Sequence, residues 1–316
     1  MNYERDLAMR KESALPPHHG PRLKGSDWKG PRLGAHMSIA GGVDKALLRG
    51  EEVGCDAMQI FTKNNNQWRA APLTEREITA YKTNRRQAGI DPILAHDSYL
   101  INIASPEKDL YRKSLEALQI EVARAAALEI PYLVIHPGAH LGSGEAEGIK
   151  RIVEALETVL EGPQASPVMI CLETTAGQGS SLGYRFEHLA AIRGGVTRRE
   201  RVGICVDTCH IFAAGYEIRS QKAYEETMRQ LHGVIGLDHV TCIHLNDSQR
   251  ELGSRVDRHA HIGRGQIGLE GFRLLINDPR LQHIPMILET PKGEDPVAAD
   301  RRNLAILRRL VRGSSG

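Results

Sequence analysis

The sequence predicts an α/β chain closed into a single (β/α)8 barrel, and three observations carry that expectation. Eight short apolar runs alternate with longer helical patterns, the runs end at nearly even intervals, and the last six of them end in side chains that can bind a metal. A length of 316 residues suits one large α/β domain or two modest ones. A doubly wound sheet would rarely need eight such even units, which leaves the barrel as the simpler solution.

In order, the runs cover residues 32–36, 57–62, 92–96, 132–136, 168–173, 202–207, 240–244 and 284–289. Between the third and fourth, residues 110–128 place Leu115, Leu118, Val122 and Ala126 on one helical side. Between the fourth and fifth, residues 145–160 do the same with Ile149, Ile152, Val153, Leu156 and Val159. The barrel is expected over residues 31–308. Residues 1–30 carry Pro16, Pro17 and Pro21 among scattered charge, with no hydrophobic period, and read as a flexible extension. Residues 309–316 read as a loose tail. His18 and His19 fall in the extension and read as a chance pair.

His96, His136, Glu173, Asp207, His244 and Glu289 terminate the third to eighth runs. The C-terminal strand ends of a barrel share one mouth, so these six converge. One such residue reads as a strand cap, but six clustered without a cation would leave costly unpaired groups. Residues two apart on a strand share a face. Leu94, Val134, Cys171, Cys205, Cys242 and Ile287 lie two positions before each candidate, which predicts an apolar layer directly beneath them. That parity makes Cys205 a core residue, and Cys209 sits beside a better ligand, His210. Asp207 and His210 are three residues apart, and Asp257 and His259 have the Asp-x-His spacing that puts both on one face of an extended segment.

Five imidazoles and four carboxylates are more than one tetrahedral ion takes and suit two or three. The mixture favours zinc, with manganese or iron compatible. His261, two residues past His259, is left out of the set. Adjacent divalent ions activate water near neutral pH and spread the charge of a phosphate transition state. Phosphoester hydrolysis is therefore the natural chemistry, with sugar isomerisation or epimerisation on a metal-bearing barrel as its rival.

Composition narrows the setting. Hydrophobic residues at 41% and charged residues at 25% are ordinary for a folded chain. No run approaches 18 apolar residues, the N-terminus lacks a signal-peptide core, and five cysteines, an odd number, do not make a disulfide framework. A cytoplasmic protein is expected. The net charge of +2 arises from residues 1–33 at +3 and the remainder at −1, so a nucleic-acid partner is not announced by composition.

Five motifs are more specific. Asp97-Ser98-Tyr99-Leu100-Ile101-Asn102 follows His96, and Glu173-Thr174-Thr175-Ala176-Gly177-Gln178-Gly179-Ser180 closes the fifth run. Val206-Asp207-Thr208-Cys209-His210, His244-Leu245-Asn246-Asp247-Ser248 and Gly253-Ser254-Arg255-Val256-Asp257-Arg258-His259 follow. Together they resemble the endonuclease IV family of apurinic/apyrimidinic DNA endonucleases, over about Leu33 to Pro291. The resemblance implies a zinc-dependent TIM barrel that cleaves double-stranded DNA 5′ to an abasic site, leaving a 3′-hydroxyl and a 5′-deoxyribose phosphate, and that trims blocked 3′ ends in base excision repair. It implies three zinc ions in a monomer. One takes His96, His136 and Glu173; a second takes Glu173, Asp207, His244 and Glu289; the third takes His210, Asp257 and His259. Glu173, bridging the first two, would be the catalytic centre of the set.

The resemblance also implies DNA contacts from Tyr99 and Leu100, which would press into the duplex at the lesion. Asn64 and Gln67 lie in the matching loop Phe61-Thr62-Lys63-Asn64-Asn65-Asn66-Gln67-Trp68, with Gln178 and Arg255 as backbone contacts. Asn66 stands where family members carry arginine, which removes a cation from this loop. Three rivals are weaker. A sugar isomerase would leave His210, Asp257 and His259 without a purpose, and a silent DNA-binding or zinc-sequestering protein would not need complete ligand sets. An amidohydrolase-type barrel is disfavoured because Gly34-Ala35-His36-Met37-Ser38 lacks a His-x-His pair.

Overall fold

A computed structural model describes residues 30–162 and 168–311. Each apolar run becomes a strand: β1 (Leu33–Met37), β2 (Ala57–Phe61), β3 (Ile93–His96), β4 (Tyr132–Ile135), β5 (Met169–Glu173), β6 (Val202–Asp207), β7 (Val240–His244) and β8 (Met286–Leu288). All pair in parallel and close in the circular order β1-β8-β7-β6-β5-β4-β3-β2, an eight-stranded TIM barrel. Closure requires β1 and β2 to approach tightly at Gly34, where a Cβ would lie 1.6 Å from the Ala57 carbonyl oxygen, so only glycine fits.

Helices fill the connections: α1 (Val43–Val53), α2 (Glu75–Ala88), α3 (Lys108–Ala127), α4 (Glu145–Glu161), α5 (Phe186–Gly195), α6 (Thr208–Ala214), α7 (Gln221–Val234), α8 (Gly268–Ile276) and α9 (Pro296–Leu310). Their apolar stripes explain their seating. In α1, Val43, Ala46, Leu47, Gly50 and Val53 are buried at three- and four-residue intervals. A capping box starts α2, Thr74 accepting from the Glu77 amide while Glu77 accepts from that of Thr74. The last helix runs to Leu310, so Arg309 and Leu310 belong to it and not to a tail. The expected extension, with His18 and His19, lies outside the described residues except for Gly30.

Two separate apolar clusters result. A large one lies between the barrel wall and the helices. A small one, inside the barrel, consists of Ala57, Leu94, Val134, Cys171, Cys205, Cys242 and Ile287. The strand-parity layer is thus present in full, with Ala57 of β2 completing it. It forms the floor on which the polar strand ends stand. Among the described residues no helix is long and apolar enough to cross a membrane.

Candidate metal centre

His96, Glu173, Asp207 and His244 are the last residues of β3, β5, β6 and β7, while His136 and Glu289 lie one residue beyond β4 and β8. Asp207 also caps α6, accepting from the His210 amide at 2.9 Å, which swings His210 over the mouth on the helix's first turn. Asp257 and His259 come from a long loop that a two-residue ribbon, Asp247–Ser248 against His259–Ala260, folds back over the barrel. One carboxylate organises that loop: Asp247 accepts from the amides of Gly263, Gly265 and Ile267 at 2.9–3.0 Å. A Cβ at Gly265 would stand 2.5 Å from Asp247 Oδ1, so the cradle needs glycine there.

Among the described residues five groups place candidate ligand atoms within 4.8 Å of one another, and three of them contain no cysteine: His96, His136 and Glu173; Glu173, Asp207, His244 and Glu289; and His210, Asp257 and His259. Glu173 belongs to two of these three. Its Oε2 is 2.9 Å from His96 Nε2 and 3.2 Å from His136 Nε2, and its Oε1 is 2.9 Å from His244 Nδ1 and 3.3 Å from His210 Nδ1. In the third group Asp257 stands 3.1 Å from His210 Nε2 and 3.2 Å from His259 Nε2.

Four of these six separations, at 3.1–3.3 Å, approach those a tetrahedral metal sets between its ligands, while the two at 2.9 Å are hydrogen-bond distances. Ligand atoms 2.0–2.1 Å from a tetrahedral zinc stand about 3.3–3.4 Å from each other. His210 Nε2 and His259 Nε2 are buried and make no hydrogen bond, although a carboxylate oxygen is close to each. Outer partners orient the rings. His96 Nδ1 donates to the Asp97 carbonyl (3.0 Å), His210 Nδ1 to that of Thr174 (2.7 Å), His259 Nδ1 to that of Glu289 (3.1 Å) and His244 Nε2 to Gln59 Oε1 (2.8 Å). In all four the other nitrogen faces the cluster, where it could ligate a metal.

The electrostatics point the same way. Burial opposes charge on Glu173, Glu289, His96, His210, His244 and His259, yet mutual attraction outweighs it. The carboxyls of Glu173 and Glu289 are held well below their ordinary range, chiefly by His244. Burial would lower the His259 imidazole, but Asp207 and Asp257 overcome it and lift the group to about 9. His96, His210 and His244 are raised likewise. Without a cation the carboxylates recruit protons through the imidazoles. Divalent ions would replace those protons.

Cysteine adds little. Cys205 lies within reach of Glu173 and His244, and Cys209 within reach of Asp207 and His259. Burial pushes both thiols up, Cys209 to about 12, and Cys209 donates weakly to the Arg258 carbonyl. His261 accepts from Asn303 at 3.0 Å, in a separate network with Thr290.

The mouth opens on one side. Glu173, Asp207 and His244 are fully buried, whereas the His136 and Asp257 side chains are 31% and 41% exposed. A cleft lined by Asp97, Ser98, Tyr99, His136, Gln178 and Asp257 leads in. Tyr99 is 61% exposed, with Phe61 5.6 Å away edge-on and His136 6.3 Å away. Leu100 is half-buried beside it, and Gln178, exposed, accepts from the Asp257 amide at 3.3 Å. Arg255, held at φ 54°, stacks its guanidinium 4.4 Å over the Tyr184 ring. Asn64, Asn66 and Gln67 stand exposed on the loop after β2. Of the contact residues named from sequence, Tyr99 and Gln178 line this cleft.

Several residues in the site escaped the sequence reading. Gln59, His36, Asn246 and Thr174 contact the ligand carboxylates or their backbones. Asn246 donates to Asp207 Oδ2 (2.6 Å) and accepts from the Glu289 amide (2.8 Å). A usable signal existed for Gln59: a polar side chain on the inward face of an otherwise apolar run.

A family model described as xylose isomerase-like TIM barrel matches residues 47–310. A probable endonuclease 4 of Chloroflexus aggregans is 58% identical over 282 residues, covering 89% of this chain and 98% of that protein. The crystal structure of endonuclease IV from Thermus thermophilus superposes with a TM-score of 0.78 at 36% identity, covering 89% of this chain and 98% of the other. A D-allulose 3-epimerase structure from Methylomonas sp. superposes with a TM-score of 0.65 over 90% of this chain and 99% of the other, but at 16% identity it shares the fold alone.

Proposed function

The chain belongs to the endonuclease IV family of xylose isomerase-like TIM barrels, and from that premise we propose that it is a zinc-dependent DNA-repair endonuclease, cutting the phosphodiester 5′ to abasic sites in double-stranded DNA. On this reading it leaves a 3′-hydroxyl and a 5′-deoxyribose phosphate, trims blocked 3′ ends, and acts as a cytoplasmic monomer.

One observation carries the reading: three ligand groups with Glu173 common to two of them. His96, His136 and Glu173 would hold one ion; Glu173, Asp207, His244 and Glu289 a second; His210, Asp257 and His259 a third. Charge favours three over two. With neutral imidazoles the four carboxylates are balanced by two divalent ions, and a third leaves an excess of about +2 facing the cleft, which suits an anionic phosphodiester. Bound there, zinc supplies Lewis-acid neutralisation of the transition state and water activated near neutral pH. The protein's own part is orientation. Glu173 divides its two oxygens between the groups, the outer partners fix four imidazole tautomers, and the buried floor of Leu94, Val134 and Cys205 keeps bulk water out from below. Tyr99 and Gln178 line the cleft, and with Leu100, Asn64, Gln67 and Arg255 they would meet the duplex.

A sugar isomerase or epimerase, which shares the fold, would use one or two ions and leave the third group idle. The test is cleavage of a duplex carrying one synthetic abasic site, after extended chelation and again after zinc is restored. A single cut 5′ to the lesion that returns only with metal is the expected result. Fully metallated, folded protein that leaves the duplex intact would overturn the proposal.

A further inference from the structure

Beneath the exposed loop at residues 62–68 lies a charge pair that the metal chemistry does not use. Lys63 and Glu121 are 3% and 1% exposed, with Lys63 Nζ 3.0 Å from Glu121 Oε1. The ammonium also donates to the Gln67 carbonyl at 2.6 Å, and Thr62 Oγ1 donates to Glu121 Oε2 at 2.5 Å. Three residues further along α3, Arg124 donates to the Thr62 carbonyl from two nitrogens, at 3.0 and 2.6 Å, and to the Ala71 carbonyl at 2.6 Å. Helix α3 thus grips Thr62, Lys63 and Ala71 directly, and Lys63 carries the hold on to Gln67.

The loop itself is a tight turn. Gln67 N donates to the Asn64 carbonyl (3.2 Å) and Asn66 N to Asn64 Oδ1 (2.9 Å), while Ser98 Oγ ties the Asn65 carbonyl to the loop that carries Tyr99. A buried ion pair is weak evidence for stability, since desolvation cancels most of its attraction. Directional hydrogen bonding to a loop carbonyl is something an apolar pair of the same volume could not provide. We propose that Glu121, acting through Lys63, is a positioning residue that locks the 62–68 loop in its duplex-reading conformation. The inference rests on the nuclease reading of the site.

The test compares Glu121→Gln with a Lys63→Met/Glu121→Leu double variant, which restores apolar packing without the anchor if the single variant folds poorly. A Trp28→Phe background leaves Trp68, half-buried at the loop's end, as the only tryptophan. Expected results are a KM for abasic duplex raised about tenfold at little changed kcat, and Trp68 emission quenched more readily by acrylamide, with zinc content intact. Folded variants with unaltered KM and unaltered Trp68 quenching overturn it, as does a fall in thermal stability alone. Should the parent protein fail to cut abasic DNA, the nuclease reading falls, and Trp68 quenching still reports on the anchor.

Discussion

Gln59 and Glu289 lie 230 positions apart in the chain and touch across the barrel interior, the Gln59 amide donating to Glu289 Oε1 at 2.6 Å. The other end of the same amide accepts from His244 Nε2 at 2.8 Å. One neutral side chain therefore sets the ring orientation of one candidate ligand and holds the carboxylate of another. It does so without spending charge in a site already crowded with it. Removing an outer partner of this kind lowers metal affinity by about 10–100-fold. Gln59→Leu should weaken zinc at the group of Glu173, Asp207, His244 and Glu289 by that amount, read by competition with a chromophoric chelator. Retained affinity in a folded variant would show that the contact is incidental.

Glu173 is the more severe case. Both of its oxygens face imidazoles, and it is fully buried. Glu173→Ala takes a ligand from two groups at once, so zinc content should fall by more than one ion per chain while His210, Asp257 and His259 still bind. Cleavage should drop by about 10³-fold or more, equivalent to roughly 4 kcal/mol of transition-state stabilisation. Metal analysis beside a rate measurement checks both halves. A variant with full zinc and near-normal rate would exclude Glu173 from the bridging role.

The contrast between these two residues shows what was legible in the sequence. Glu173 ends an apolar run, and His96, Asp207 and His244 do the same on their own strands, so strand parity and barrel topology locate them without coordinates. The floor of Leu94, Val134, Cys171, Cys205, Cys242 and Ile287 followed from the same two-residue period. Gln59 was not found because its partners are far away in the chain, and only closure of the barrel brings β2 against β7 and β8. Glu121 was missed for a related reason. Its position on α3 lies among the mostly apolar buried residues Ala117, Leu118, Val122 and Ala125, and its counter-charge sits outside the helix. Local patterning reveals which residues face inward. It does not reveal which polar atoms will meet there.

Metal removal should cost fold stability as well as activity. Four carboxylates in the candidate centre, two of them fully buried, repel one another once cations leave. Zinc at about a thousand times its dissociation constant contributes about 4 kcal/mol per site. Chelation should therefore lower the melting temperature by roughly 10 °C or more, followed by circular dichroism with and without a zinc-saturated control. An unchanged transition would mean that no ion is held in the folded state under those conditions.

Away from the centre, Asp278 anchors the turn before β8. Its carboxylate accepts from Tyr224 Oη at 2.7 Å and from Arg280 Nε and Nη2 at 2.9 and 2.6 Å. Burial alone would raise its pKa, but Arg280 and Tyr224 outweigh this and hold it below the ordinary range. A depressed carboxylate stabilises the fold above its unfolded pKa, about 3.9, and loses that contribution as pH falls through the folded value. Asp278→Asn should cost about 1.5–3 kcal/mol at pH 7. The gap between parent and variant, both metal-free, should close as pH falls below about 4. Denaturant titrations across that range test it, and a gap independent of pH would assign the effect to packing.

Tyr99 separates substrate contact from structure. At 61% exposure its ring contributes little to the core, and it donates to no ligand of the candidate centre. Substitution at such a surface position usually changes stability by less than about 0.5 kcal/mol. An aromatic ring packed against an unstacked base or sugar contributes about 1–3 kcal/mol. Tyr99→Ala should therefore leave the melting temperature and zinc content unchanged and raise KM for abasic duplex by about 5–150-fold, with a smaller effect on unmodified duplex affinity. Tyr99→Phe should recover most of the loss, because the packing needs the ring and not the hydroxyl. If alanine is tolerated, recognition of the lesion rests on the other proposed contacts, Gln178 in the same cleft among them.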